Sequence, residues 1–527
     1  MTTQFSESIA SARSEPTSLV LPDDEHNQRL LANVHPSDWV NPEPNGRYNV
    51  VVIGAGTAGL VTAVIAAGLG ARVALVERHL MGGDCLNVGC VPSKGILRAS
   101  RAWAEVKKAE EFGVQIPPGV KYDFGAAMAR MRKLRARISH VDSAHRYQSL
   151  GVDVYIGSAR FSGPDTVEVE GPSGRRALKF AKAAIATGAR AAAPAIPGLK
   201  EAGYLTNETV FSLTERPSRL AVIGAGPIGC ELAQAFARFG SEVYLIEALH
   251  GILPNEDRDA AEVLHRSMLR DGVKLLCCGK DSKVSLSERG KRLLVESHGE
   301  RYEIWVDEIL VGVGRSPNVE GLGLEVAGVE FDKSGVKVND RLQTSNPRIF
   351  AAGDICSRHK FTHAADAMAQ IVIQNALFPH PFGLAYASVD SLIMPWCTYT
   401  EPEIAHVGMY EMEAKKKGIE VETYTYELDE VDRAILDGEE EGFARVHIQK
   451  GTDKIMGATV VAAHAGDLIS EFSVLMKSGA GAKTLSSTIH PYPTQAEVNK
   501  KVATSWRKAH FSERQKSVLR KWFAWTR

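Results

Sequence analysis

The 527-residue chain lacks an uninterrupted apolar segment long enough to cross a bilayer: its longest apolar region, 58–71, is broken by Thr62, Gly68 and Gly70. It lacks an excess of charge of either sign, with 62 Lys and Arg against 63 Asp and Glu, so no bulk positive field draws it onto nucleic acid. Cysteine is scarce, at seven residues, which excludes a disulfide framework and makes any closely spaced pair catalytic or metal-binding first. The opening residues are Ser, Thr and acidic rather than basic then apolar, unlike a secretory or transit signal, and a cytoplasmic location is expected.

What is there suggests about three domains, since one core does not grow to this length. Residues 1–46 carry no sustained apolar periodicity and read as a loose arm. Then an apolar strand at 50–53, a turn Gly54-Ala55-Gly56-Thr57-Ala58-Gly59, a helix over 60–69 and a strand over 72–76 form a βαβ unit. The same order returns at 220–223, Gly224-Ala225-Gly226-Pro227-Ile228-Gly229, a helix to Phe239 and a strand over 242–246. The predicted class is α/β, with two doubly wound, Rossmann-like nucleotide-binding domains, followed after Pro395 by an α+β domain.

Each glycine turn follows a hydrophobic strand and precedes, some 20 residues on, an acid at the next strand end: Glu77 and Glu247. Gly54 and Gly224 permit the turn, Gly56 and Gly226 admit a pyrophosphate, and Gly59 and Gly229 let helix and strand pack. The helix amino terminus supplies the anion site. The glutamates accept from an adenosine ribose, and Glu247 would repel the additional phosphate of NADPH, so NADH is favoured. The bland alternative, two structural βαβ turns, does not explain both acids.

Gly82-Gly83-Asp84-Cys85-Leu86-Asn87-Val88-Gly89-Cys90-Val91-Pro92-Ser93-Lys94 enters a helix after the first unit. Two thiols five positions apart meet if the helix start is distorted, and a helix amino terminus lowers a thiol pKa. As a metal site the pair is poorly spaced and has no partner nearby. This run resembles the active-site stretch of the pyridine nucleotide-disulfide oxidoreductases, which include dihydrolipoamide dehydrogenases, glutathione reductases and mercuric reductases. Further matches are Ala186-Thr187-Gly188, the run from Gly312 through Gly314 to Asn318, and Phe350-Ala351-Ala352-Gly353-Asp354, so that the resemblance spans about 48–505.

The resemblance implies FAD on Gly54, Gly56, Gly59, Glu77, Thr187, Gly188 and Asp354, and NADH or NADPH on Gly224, Gly226, Gly229, Glu247 and Gly314. It implies electrons passing from nicotinamide through flavin to a Cys85/Cys90 disulfide, with Cys90 against the flavin, Cys85 attacking substrate, and Lys94 with Glu231 as an ion pair nearby. It divides the chain into an arm (1–46), a FAD domain (47–195 and 319–390), an NAD(P) domain (196–318), a dimerisation domain (391–505) and a basic, aromatic tail (506–527). Homodimers are implied, with Tyr492 and Glu497 of one subunit completing the other's site.

Where many relatives place an imidazole before Pro-Thr, this chain has Tyr492, within His490-Pro491-Tyr492-Pro493-Thr494. A phenol with pKa near 10 is a poor base at neutral pH, whereas an imidazole near 6.5 suits thiol chemistry. Rescue by His490 requires a shift of two extended residues. Tyrosine here, with Asp432-Arg433-Ala434 and Gly442-Phe443, is reminiscent of mercuric reductases, so the expected acceptor is a soft metal ion or another thiol-reactive electrophile. A dihydrolipoamide dehydrogenase is the alternative. A flavin-bearing sensor without turnover is the alternative of another class, and the dithiol argues against it. Mercuric reductases usually end in a vicinal cysteine pair, yet no cysteine follows Cys397. Cys277-Cys278 is expected inside a core strand, no resident metal site is expected, and Cys230, Cys356 and Cys397 read as small packing residues. The tail is expected to form an amphipathic helix docked on the body or the other subunit, with membrane-surface contact the lesser option.

Overall fold

A computed structural model describes residues 19–172 and 174–527. The first sheet sets four parallel strands in the order Val152–Ile156, Val73–Glu77, Arg47–Ile53 and Gly174–Ile185, with Ile349–Ala351 added in parallel beside the last. Val50, Val51, Val52 and Ile53 are all buried, which is why they form an unbroken apolar run: a parallel sheet covered on both faces has no polar side. The long strand Gly174–Ile185 also closes an antiparallel meander with Thr166–Gly171 and Ser158–Gly163.

The second fold repeats this plan. Its parallel order is Val273–Leu276, Glu242–Ile246, Arg219–Ile223 and Glu308–Val311, with a separate antiparallel meander of Lys280–Ser287, Gly290–Ser297 and Glu300–Val306 inserted before the last of these strands. Ala189–Ala191 and Arg315–Pro317 pair where the chain leaves the first fold and returns to it. The last domain is a five-stranded antiparallel sheet, 395–398, 403–408, 455–462, 443–449 and 421–427 in spatial order, packed on the helices Ala465–Ser478 and Glu497–Ala509.

The helix Cys90–Lys108 and the helix Phe124–Ile138 send Ile96, Phe124, Met128 and Met131 into a core shared with Leu232, Phe236 and Phe239 of the second fold. Each such side chain contributes about 1.5–3 kcal/mol on burial. This packing fixes the cysteine-bearing helix against the helix Pro227–Arg238.

Three expectations need correction. Residues 1–46 are not loose throughout, although 1–18 lie outside the described residues. Glu25–Val34 is a helix capped by Asp24, burying Leu30 and Val34, and Asn41 exchanges two hydrogen bonds with Ile156 at the sheet edge. Leu30 and Val34, with Leu31 partly buried beside them, anchor the helix, too few apolar residues to register as periodicity.

Cys277 and Cys278 do not lie in a core strand. The strand stops at Leu276, and both thiols are half-buried at its carboxyl end. Trp506 does not belong to the tail. The pattern Val498, Val502, Ala503, Trp506 continues one helix to Ala509 and buries the indole in the domain core. The tail helix proper, Glu513–Trp525, has no residue buried against its own chain. No helix among the described residues is long and apolar enough to cross a membrane.

Candidate functional site

The two glycine turns are built alike. Gly54 and Gly224 have φ of +100° and +102°, where a side chain would be strained. A Cβ on Gly59 would lie 1.8 Å from the Gly54 carbonyl oxygen, and one on Gly229 would lie 1.9 Å from that of Gly224, so only glycine lets the helix start this close to its strand. The helices Thr57–Gly68 and Pro227–Arg238 have no side-chain cap at Gly56 and Gly226, which leaves first-turn N–H groups, from Ile228 onward in the second helix because Pro227 has none, to face a pyrophosphate. Glu77 accepts from the Ala55 and His79 amides, at 2.7 and 2.8 Å, and Glu247 from those of Ala225 and Leu249, at 2.7 and 3.0 Å. Each carboxylate is thereby held at its strand end beside an uncapped helix, an arrangement that fits a dinucleotide in both folds.

Thr187 and Gly188 close on Asn318: the Thr187 hydroxyl donates to its carbonyl at 3.0 Å, and the Asn318 amide donates to the Gly188 carbonyl at 3.0 Å. Gly314 has φ of +129° just before the returning strand. Asp354 is paired with Arg315 at 3.2 Å, and Arg315 also holds Asp84, next to the first cysteine. Arg315 thus links the expected flavin-side carboxylate to the cysteine segment.

Cys85 lies in the short helix Gly83–Asn87, and Cys90 begins the helix Cys90–Lys108. Val88 and Gly89 break the helix between them, the distortion that two thiols five apart require. Both are free thiols in hydrogen-bond contact. The bond from Cys85 is the largest influence holding the Cys90 pKa down, to about 6; the Thr362 hydroxyl and the Lys94 charge add to it, while partial burial and Glu231 oppose it. Cys85, as the donor, is pushed up. Of the two thiols it is thus Cys90 whose anionic form these neighbours favour.

Lys94 Nζ meets Glu231 Oε2 at 2.9 Å, and Glu231 Oε1 accepts from the Tyr399 amide at 2.9 Å. Glu231 is 5% exposed and so depends on both partners. Lys94 also lies 4.3 Å above the Tyr399 ring. Residue-level reading missed Thr362, whose hydroxyl is 3.2 Å from Cys90 Sγ at the start of the helix Thr362–Leu377, and it missed Tyr399. Neither carries a local motif; they arrive from distant segments.

Tyr492 and Glu497 are not brought to the thiols within one chain. Tyr492 is 71% exposed and donates to Asp432 at 2.8 Å, a bond that raises its pKa further. Glu497 starts the helix Glu497–Ala509. His490 is tied to Glu471, at 3.0 Å, with its side chain largely buried. Of the two candidate proton-transfer groups on this segment, His490 and Tyr492, the exposed one is the phenol.

Residues 48–370 match the pyridine nucleotide-disulphide oxidoreductase family, and residues 394–503 match its dimerisation domain. The mercuric reductase of Staphylococcus aureus is 36% identical over 465 residues, covering 88% of this chain and 83% of that protein. The dihydrolipoyl dehydrogenase of Thermus scotoductus is 35% identical over 462 residues, covering 85% and 95%. Among solved structures, a Cu(II) complex of the HOCl-induced flavoprotein disulfide reductase RclA of Escherichia coli superimposes with a TM-score of 0.76 at 26% identity, covering 87% of this chain and 99% of that one. By sequence, domain content and fold, the chain belongs to the pyridine nucleotide-disulphide oxidoreductase family, whose members bind FAD and a pyridine nucleotide.

Proposed function

We propose that the chain oxidises NADH and passes the electron pair through FAD and the Cys85/Cys90 dithiol to a thiophilic acceptor, a soft divalent metal ion foremost, from a cytoplasmic homodimer. For a metal acceptor the sum is NADH plus a dication giving NAD+, one proton and the metal atom. The observation that carries the reading is the dithiol, with a thiolate held at Cys90 below neutral pH, combined with a phenol instead of an imidazole at the exposed position 492. A thiolate pair binds a soft ion without a base, whereas opening a substrate disulfide requires a proton for the departing thiolate.

FAD, when bound, supplies the two-electron step between hydride donor and dithiol. The chain does the rest. The Gly54 and Gly224 turns hold the two pyrophosphates, and the Glu247 carboxylate favours NADH by repelling a ribose phosphate. The Cys85 thiol, the Thr362 hydroxyl and Lys94 keep Cys90 anionic, and Glu231 holds Lys94 in place. Tyr492 and Glu497 from a second copy reach the dithiol, where the phenol guides the incoming ion. The solved Cu(II) complex of a relative adds support for a metal acceptor.

Dihydrolipoamide oxidation is the second reading, favoured by dihydrolipoyl dehydrogenases at identities close to those of the mercuric reductases. Mercuric-ion-dependent NADH oxidation, set against dihydrolipoamide-dependent NAD+ reduction on the same preparation, separates the two. Turnover with dihydrolipoamide at least as efficient as with the metal ion would overturn the first.

A further inference from the structure

The parallel strands Glu242–Ile246 and Val273–Leu276 are neighbours, so their carboxyl ends open at one edge of the second sheet. The loop after the first carries His250, and Cys277 and Cys278 follow the second at once. The turn between the antiparallel strands Gly290–Ser297 and Glu300–Val306 carries His298. These three segments place one ligand atom from each of His250, Cys277, Cys278 and His298 within 4.8 Å of one another. Cys277 Sγ lies 3.1 Å from His298 Nε2, and Cys278 Sγ lies 3.6 Å from His250 Nδ1. A tetrahedral ion bonded at about 2.3 Å to sulfur and about 2.0 Å to nitrogen needs ligand atoms roughly 3.3–3.8 Å apart, so only a small adjustment closes the set.

The backbone points the same way. Cys278 and His298 have φ of +56° and +52°, a left-handed conformation that side-chain-bearing residues adopt rarely. It is held by the surrounding bonds: the Cys278 amide to the Leu249 carbonyl at 3.0 Å, and the Ser297 hydroxyl to the Cys277 carbonyl at 2.6 Å. Strained residues persist where neighbours over-determine them, and they gather at binding sites. In His298 the conformation belongs to the two-residue hairpin turn His298-Gly299, whereas Cys278 adopts it just past a strand end, outside any hairpin.

We propose that His250, Cys277, Cys278 and His298 form a binding site for one thiophilic transition-metal ion of the zinc(II) class. Two thiolates and two imidazoles select such an ion over calcium or magnesium, which take oxygen ligands. Binding to a dication releases one proton from each thiol and leaves the site neutral, with no electron transfer. The ion staples the loop that follows Glu247 to the hairpin turn. The site is separate from the Cys85/Cys90 dithiol and does not depend on the identity of the electron acceptor.

The test uses the full-length, flavin-loaded protein with Cys85 and Cys90 oxidised to the disulfide, so that the inner pair cannot compete. Zinc is added and loosely held ion removed with a chromophoric chelator; metal per flavin is then measured. Cobalt(II), in a parallel sample, reports thiolate ligation and tetrahedral geometry by its absorption. One zinc per chain is expected. Cys277→Ser combined with Cys278→Ser should abolish it, and His250→Gln alone should weaken it at least about a hundredfold, with NADH oxidation unchanged in both. Absence of stoichiometric zinc in the oxidised wild type overturns the site. So does zinc retained in full by the His250→Gln protein, which also serves if the double variant fails to fold.

Discussion

Removing the Cys85 thiol should return Cys90 toward the behaviour of an ordinary cysteine. In the intact pair Cys90 is held down to about 6, the bond from Cys85 being the largest cause and Thr362 and Lys94 adding to it. Because the shift is a depression, the thiolate is present above that value and lost as the pH falls through it. At pH 7 a group at about 6 is roughly nine-tenths ionised, against a few per cent for a thiol near 8.5. Cys85→Ala leaves Thr362 and Lys94 in place, so the thiolate fraction at neutral pH should drop about tenfold rather than vanish. The assay alkylates the reduced full-length protein across about pH 5 to 9 and quantifies the Cys90 peptide by mass spectrometry, which sets aside the other thiols. The inflection is the quantity to read, since nucleophilicity itself falls as a thiol's pKa falls. A wild-type inflection at or above about 8 would refute the reasoning. An inflection that stays put in Cys85→Ala would show that another neighbour holds the charge.

Further outcomes follow from other contacts. Gly59→Ala, with its Cβ against the Gly54 carbonyl, should yield protein without bound flavin, whereas Gly229→Ala should stay yellow and raise KM for NADH about tenfold or more; colour and kinetics distinguish them. Lys94→Met leaves the Glu231 carboxylate buried with only the Tyr399 amide, and urea unfolding should show a loss of about 1–3 kcal/mol. Glu231→Gln in the same background should restore part of it. Tyr492→Phe should slow metal-dependent turnover several-fold without changing the rate of flavin reduction by NADH, measured by stopped flow. Truncation after His510 should preserve the fold, since Trp506 stays in the core and Glu513–Trp525 buries nothing against its own chain; a collapse of the melting temperature would contradict this.

The nucleotide folds were legible because their signals are local. In both copies the bond from the turn alanine to the strand-end glutamate spans 22 residues, Ala55 to Glu77 and Ala225 to Glu247. A strand, a tight turn, a helix and a strand close that loop with no help from the rest of the chain. The break between Cys85 and Cys90 is equally local, since Gly89 interrupts the helix where the second thiol needs it. Lys94 and Glu231 were joined in advance only by resemblance to a family.

Tertiary structure alone decided what surrounds these residues. Thr362 reaches Cys90 across 272 positions, and Lys94 reaches Glu231 across 137 because two helices share one core. His250, Cys277, Cys278 and His298 converge because two parallel strands end side by side and a distant hairpin folds over them. Periodicity records which face of an element is buried; it carries no record of which distant segment will cover that face.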